Sequence, residues 1–393
     1  MKRILFLHHV STIGGGSYCL LNILKSIDRS CFEPVVCLAS DGPLRIEVEK
    51  LAIKVLFFYE MEAVPYNKSI WSIRSLSIYY RVRRSVKIFK RLLTDNNVDV
   101  VYLNNMMIYP YLKPAKECGC KTVIHCREHW PLDEHTIQLQ WARDAVYQFA
   151  DELVAINQYS GSIFPKKKAT IVYDWIDMAS RYEYQPMKDI FGEDVSNLKV
   201  FLFTGVFQRI KGAYQVLKAF HEYVKDQNAR LLVLGYDMRK PLVGRKALLK
   251  RVLYSFGFDI NEIRCRTLVE CDSRIVCLPS TYMITHIIQQ SYCMLSYFTI
   301  PHANLALVES ITLGIPVIAA RTEESDEYTR GGELAMLFEF NNFKSFISKI
   351  ESIDNRHEHI KTMLSRHAVE IINKFSKEHN VKCLHNVLLA VSQ

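Results

Sequence analysis

No apolar run in the 393 residues is long enough to cross a bilayer as a helix, so a membrane-spanning role is not expected. The start Met1-Lys2-Arg3 is like the charged end of an export signal. Its apolar run, Ile4-Leu5-Phe6-Leu7, stops at His8-His9, too early to serve as one. Cys-x-x-Cys is missing, and the 11 cysteines are odd in number and irregular in spacing. A disulfide framework or structural zinc site is therefore not expected, and the reducing cytoplasm is the expected compartment. Asp-x-Asp is also missing, which weighs against a scheme built on carboxylate-held Mg²⁺ or Mn²⁺, and no metal site is expected. Between Ala63 and Thr94 there is no acidic residue at all.

What the chain does contain is ordinary globular composition, 49% hydrophobic with a formal net charge of +9. Its length exceeds one compact core and predicts two domains. Short apolar runs recur at Ile4–Leu7, Glu33–Ala39, Val55–Phe58, Val98–Leu103, Thr122–His125, Glu152–Ile156 and Thr170–Tyr173. Helical segments separate them, which predicts βαβ units and a mostly parallel sheet. A second cycle runs through Val200–Thr204, Arg230–Leu234, Arg274–Cys277, Cys293–Leu295 and Val317–Ala320. The polar stretch before it reads as a linker. The expected division is 1–185, a linker 186–198, and 199–365.

The acid-free segment carries Lys68, Arg74, Arg81, Arg83, Arg84, Lys87, Lys90 and Arg91, with Ile73, Leu76, Tyr80, Ile88 and Leu92 as an apolar side. It reads as one or two basic amphipathic helices, and Arg74–Arg91 suits contact with an anionic membrane surface. A second cluster, Arg239, Lys240, Arg245, Lys246, Lys250 and Arg251, reads as a solvated basic face. Neither sits in a nucleic-acid-reading motif, and no nucleic-acid partner is expected.

Four stretches could carry chemistry. Strand Ile4–Leu7 is followed by Gly14-Gly15-Gly16-Ser17 and a helix, an order that lets backbone N–H groups approach an anion, although the spacing is not that of a dinucleotide fingerprint. His125 stands at the end of a strand, where a doubly wound sheet opens its ligand crevice; His129 and Trp130 read as wall residues. In Thr204-Gly205-Val206-Phe207-Gln208-Arg209-Ile210-Lys211-Gly212, two cations follow a strand and could neutralise a leaving diphosphate. In Tyr297–Ala320, Leu305–Leu313 reads as a short helix stopped by Gly314 and Pro316, with Val317–Ala320 as a buried strand. Glu309 there suits a ligand bearing phosphate and sugar hydroxyls. Equally compatible is a plain helix-strand connection with Glu309 in solvent.

Taken in order, these stretches resemble a family-4 retaining glycosyltransferase of the GT-B architecture. The resemblance runs from Gly14–Ser17 through His125, Tyr173-Asp174-Trp175-Ile176-Asp177, Gly205…Arg209…Lys211-Gly212 and Leu278-Pro279-Ser280 to Glu309-Ser310…Gly314-Ile315-Pro316. It implies an α/β fold of two Rossmann-like doubly wound domains facing a central cleft. The C-terminal segment 366–393 would return to the first domain. It further implies that Gly15 and Gly16 face the donor phosphates, Arg209 and Lys211 grip the diphosphate, and Glu309 binds ribose. The backbone at Leu305 and Ala306 would approach phosphate, with His302 beside them, and His125 would contact the donor sugar or the acceptor. The sequence departs from the family pattern at Pro301, where the first Glu of Glu-x7-Glu would fall, at Leu305, where an Arg is usual, and at Asp174-Trp175 in place of Asn-Gly.

The function so implied is transfer of a hexose-type sugar from a UDP- or GDP-linked donor to a glycan acceptor, lipid-linked and belonging to surface-polysaccharide synthesis, with no cofactor. No carboxylate pair of the kind a retaining glycosidase uses is found, so a front-face transfer is preferred. His125, Arg209 and Lys211 are the expected catalytic residues. The enzyme would lie in the cytoplasm, peripheral on the membrane. A different reading follows from Pro301 and Leu305: a catalytically degenerate glycosyltransferase fold serving as a binding or scaffold subunit.

Overall fold

A computed structural model describes residues 1–65, 70–130, 132, 136–175, 186–240, 260–279, 284–301 and 303–393. The chain divides into two compact units, Met1–Asp177 with Lys374–Gln393, and Met178–Asn373. Each is a parallel sheet packed with helices, so the doubly wound α/β architecture read from the sequence is the one observed.

In the first unit the strands are β1 (Lys2–His8), β2 (Phe32–Leu38), β3 (Lys54–Phe57), β4 (Val100–Leu103), β5 (Lys121–Cys126), β6 (Glu152–Ala155) and β7 (Thr170–Ile171). They lie in the order β3-β2-β1-β4-β5-β6-β7, and every pairing is parallel. Ile4, Leu5, Phe6 and Leu7 have no exposed surface, because helices cover both faces of the sheet. That double coverage is why the strand reads as an unbroken apolar run. Helix Lys377–Ser392 belongs to this unit, and its Leu384, Val387, Leu388 and Val391 join the core containing Phe6, Val100, Val123 and Trp175. Asn380 fixes it in place. Its Nδ2 donates to the carbonyls of Lys374 and Ser376, and its Oδ1 accepts from the Tyr173 N–H at 2.8 Å.

The acid-free segment forms one helix, Ile73–Asp95, started by Ser72, whose side chain accepts from the Ser75 N–H. Its buried stripe is Ser75, Ile78, Val82, Ser85, Phe89 and Leu93. The apolar side read from the sequence is largely the other one: Ile73, Leu76, Tyr80 and Ile88 are exposed. At about 100° per residue the two stripes are opposite, so the helix is apolar inward and apolar-basic outward. Lys68 lies outside the described residues.

The second unit has β8 (Lys199–Thr204), β9 (Ala229–Leu234), β10 (Ile275–Leu278), β11 (Cys293–Ser296), β12 (Val317–Ala320) and β13 (Met336–Phe338). Their order is β10-β9-β8-β11-β12-β13, again parallel throughout. The edge strand β13 was not expected. It is three residues long and, among the described residues, pairs only with β12, so it leaves little pattern in the sequence. The stretch read as a linker holds a helix, Met187–Phe191, closed by Gly192 at φ 71°, and the Met187 N–H donates to Gln290 within this unit. Arg245, Lys246, Lys250 and Arg251 of the second basic cluster fall outside the described residues. No described helix is long and apolar enough to cross a membrane.

Candidate active site

Both sheets change direction once. In the first the chain winds outward from β1 to β2 and β3, then returns to start β4 on the other side of β1; in the second, β8 and β11 bracket the same kind of reversal. Loops leaving two such strands diverge, which opens a crevice beyond their carboxyl ends. The candidate residues of each unit gather at its own reversal.

In the second unit the loop after β8 ends in a single 3₁₀ turn, Arg209–Lys211, closed by Gly212 at φ 68°. The segment after β11 clamps that turn. The Thr299 N–H donates to the Ile210 carbonyl at 3.1 Å, and the Thr299 hydroxyl donates to the Arg209 carbonyl at 3.0 Å. Gly212 is required twice over, because its left-handed backbone suits glycine and an added Cβ would meet the Tyr297 carbonyl oxygen at 2.1 Å. Arg209 is exposed, whereas Lys211 is half-buried with its Nζ 4.5 Å from the centre of the Phe298 ring. Burial lowers the Lys211 amine to about 8.

From Thr299 the chain leads to helix Leu305–Thr312, one residue shorter than expected and followed by Gly314 at φ 72°. Asn304 starts it: its Oδ1 accepts from the Leu307 N–H at 3.1 Å, and its Nδ2 donates to the Ser296 hydroxyl at 2.8 Å. The N–H groups of Leu305 and Ala306 precede the intrahelical ladder, as at any helix start. Glu309 is only 7% exposed, so the reading that left it in solvent is set aside. The structure thus brings Arg209, Lys211, Leu305, Ala306 and Glu309 into one unit around one strand reversal. His302, and Ser280 of the Leu278-Pro279-Ser280 motif, lie outside the described residues.

In the first unit Gly14 caps helix Gly15–Ser26 with no side-chain hydrogen bond. A Cβ built on Gly14 or Gly15 meets nothing within 4 Å, and one on Gly16 only just reaches the His8 ring. The protein's own packing does not require glycine there; its effect is to leave the helix start bare. His125 stands one residue before the end of β5 and is 1% exposed.

Around it lies a polar network that the sequence did not disclose. Arg127 donates from Nη1 to Asp174 Oδ1 at 2.6 Å, from Nε to Asn104 Oδ1 at 3.1 Å, and from Nη2 to His125 Nδ1 at 3.3 Å. Tyr102 donates its hydroxyl to the same His125 nitrogen at 2.6 Å. Asn104 Nδ2 reaches His8 Nδ1 at 3.2 Å, and His8 Nε2 reaches the Ser17 hydroxyl at 3.1 Å. Ser17 in turn donates to the Thr12 carbonyl at 2.8 Å. Burial, with the nearby His9 and Arg127 charges, lowers His8 to about 3; burial and Arg127 hold His125 well below its ordinary value. Burial works against the Arg127 charge, but Asp174 holds its pKa above the ordinary value. Glu128 accepts from the N–H groups of Met106 and Arg127, yet burial still pushes it up to about 7. His129 is buried against Tyr159, with ring centres 3.9 Å apart.

The departure at Asp174 thereby acquires a physical reason. An asparagine would leave the buried Arg127 guanidinium uncompensated, and the aspartate neutralises it. No sequence signal could have joined the two, since they meet only because the segments after β5 and β7, strands of one sheet with β6 between them, come together beyond it.

Residues 188–364 match the family model described as Glycosyl transferases group 1. No curated protein matches the sequence. Among solved structures, the chain is similar to Anabaena Alr3699/HepE in complex with UDP and glucose, with a TM-score of 0.74 and 18% identity over 99% of this chain and 100% of that one. It is similar to a glycosyltransferase from Rickettsia africae ESF-5, with a TM-score of 0.71 and 14% identity over 99% and 98%. The apo lipopolysaccharide outer core galactosyltransferase WaaB gives 0.61 and 15% over 99% and 99%. At these identities the likeness is one of fold, two parallel-sheet Rossmann-like domains of the GT-B type.

Proposed function

We propose that the chain is a retaining glycosyltransferase that moves a hexose-type sugar from a UDP- or GDP-linked donor to a glycan acceptor, without a metal. The observation that carries this reading is the clamped turn Arg209–Lys211 within the residues that match the group 1 model, held by Thr299 beside the helix that bears Glu309. Arg209 and Lys211 are assigned to the donor diphosphate, where fixed cations stabilise the departing charge. Glu309 is assigned to ribose hydroxyls, and the N–H groups of Leu305 and Ala306 to a phosphate oxygen. Gly15 and Gly16, at a helix start left bare, are assigned to phosphate as well. His125 is assigned to the sugar or the acceptor. Anabaena Alr3699/HepE was crystallised with UDP-glucose, which supports trying a UDP-sugar first.

In the proposed transfer the leaving phosphate, held by Arg209 and Lys211, accepts the proton of the attacking hydroxyl on the face it departs from. The test is mass spectrometry of products from a nucleotide-sugar panel with lipid-extract acceptors, repeated with Lys211→Ala. Transfer lost in the variant is expected; full turnover with unchanged donor affinity would overturn the leaving-group role. Donor binding without any turnover would favour a binding or scaffold subunit instead, the reading that the substitutions at Pro301 and Leu305 support.

The acceptor is proposed to be lipid-linked. Support comes from the outward stripe of helix Ile73–Asp95, where Ile73, Leu76, Tyr80 and Ile88 alternate with Arg83, Arg84, Lys87 and Arg91. Trp141 of the neighbouring helix, 45% exposed and in ring contact with Tyr79, extends the apolar surface. Such a face suits an anionic leaflet, at roughly 1 kcal/mol for each basic residue near the surface. Flotation with anionic liposomes at low salt checks it, and an unbound protein would refute it.

A further inference from the structure

The network around Arg127 has a direction that follows from chemistry alone. A guanidinium only donates. His125 Nδ1 receives the Arg127 Nη2–H, so it is an acceptor, and the single proton of a neutral ring sits on Nε2. Asn104 Oδ1 receives the Arg127 Nε–H, which leaves the Asn104 Nδ2 as donor to His8 Nδ1. His8 is therefore also protonated on Nε2, donates to Ser17, and Ser17 donates onward to Thr12. One branch ends on a backbone carbonyl at the glycine turn. The other ends at His125 Nε2, which is buried and has no partner among the described residues.

We propose that Arg127, held by Asp174, is a positioning residue that fixes His8 and His125 as neutral Nε2–H tautomers, one bracing the glycine turn and the other presenting an open hydrogen-bond donor. His125 then cannot take a proton from an attacking group, since its one unengaged ring nitrogen already carries one. Its partner must be an acceptor oxygen, of a hydroxyl or a phosphate. The proposal concerns the ligand-free protein, so it stands or falls separately from the assignment of the donor.

The test is two-bond ¹H–¹⁵N correlation NMR of the ¹⁵N-labelled full chain at neutral pH, with the two imidazoles assigned through His8→Gln and His125→Gln. Both rings are expected to show the Nε2–H pattern. An Nδ1–H or doubly protonated pattern at either ring overturns the proposal. Arg127→Lys keeps a charge for Asp174 but has no fork to span Asn104 and His125, and it is expected to lose the single-tautomer pattern. Unchanged patterns at both rings would overturn the proposal. Should that variant fail to fold, Tyr102→Phe decides the same point. It removes the other donor to His125 Nδ1 and leaves Arg127, so the Nε2–H pattern is expected to persist, and its loss would assign the tautomer to Tyr102 instead.

Discussion

The Lys211 Nζ rests 4.5 Å from the centre of the Phe298 ring, half out of water, and burial lowers its pKa to about 8. An anion bound beside it raises that pKa again, so the charged amine is the form that binds. Affinity for a nucleoside diphosphate is expected to fall as pH rises through about 8, with proton uptake on binding at that pH. Calorimetry in buffers of different ionisation enthalpy reads both. Lys211→Arg, whose guanidinium stays charged, should abolish the fall. An affinity in the unaltered protein that is flat across this range would contradict the assignment of Lys211 to the diphosphate.

Gly212 packs against Tyr297 so closely that a methyl group there has no room, and its φ of 68° already disfavours any other residue. Gly212→Ala should cost roughly 2 kcal/mol or more of stability. It should also weaken nucleotide binding, because the turn carrying Arg209 and Lys211 must move away from Thr299. Gly14→Ala is the control, since its Cβ would enter open space; its melting temperature should barely change. Chemical denaturation of the pair separates the two cases.

Arg127 and Asp174 are 7% and 20% exposed in their side chains. Removing one partner strands a buried charge, so Asp174→Leu is expected to destabilise by about 3–5 kcal/mol. Arg127→Met with Asp174→Leu should cost less than Asp174→Leu alone. A double-mutant cycle by urea denaturation measures the coupling, and additive costs would show that the pair is not electrostatically linked.

Acid dependence of stability follows from three buried groups in this unit. His8, at about 3, and His125, held low, bind protons less readily folded than unfolded. Their contribution is present above 6.5 and is lost as pH falls below it, by about 1.4 kcal/mol per pH unit for each ring. Glu128, raised from 4.5 to about 7, acts the other way: its contribution is present below 4.5 and is lost as pH rises through 7. Two histidines outweigh one carboxyl, so stability from these groups should peak near 6.5. Urea midpoints across pH 4.5 to 8 should show the peak, and Glu128→Gln should flatten its alkaline side and steepen its acid side.

The strands were legible because both sheets are covered on two faces, which turns Ile4–Leu7 or Val317–Ala320 into unbroken apolar runs. β13 was not, being three residues on an edge. The glycines and cations of the second unit were legible for a related reason: loop, turn and helix follow one another within a few residues. Thr299, which clamps that turn from 90 positions away, was not. Nor was the outward character of helix Ile73–Asp95. Its two apolar stripes look alike in sequence, and only packing decides that Ile78, Val82 and Phe89 go inside while Ile73, Leu76 and Tyr80 stay out. Arg127 and Asp174 belong to the same class of hidden partners, joined by sheet order and by nothing in the local pattern.

The first unit contains both Lys2–His8 and Lys377–Ser392, with the whole second unit lying between them in the chain. A ribosome therefore delivers Val123 of β5 and Val154 of β6 long before the helix that packs on those strands. Helix Gly15–Ser26 already supplies Leu20, Leu21, Ile23 and Leu24 to that core, but until Leu384, Val387, Leu388 and Val391 emerge the part over β5 and β6 lacks its cover, while the second unit can close as soon as its own residues are out. These strands wait for helix Lys377–Ser392 while the whole second unit is made, and that interval is when holdase chaperones would find the nascent chain.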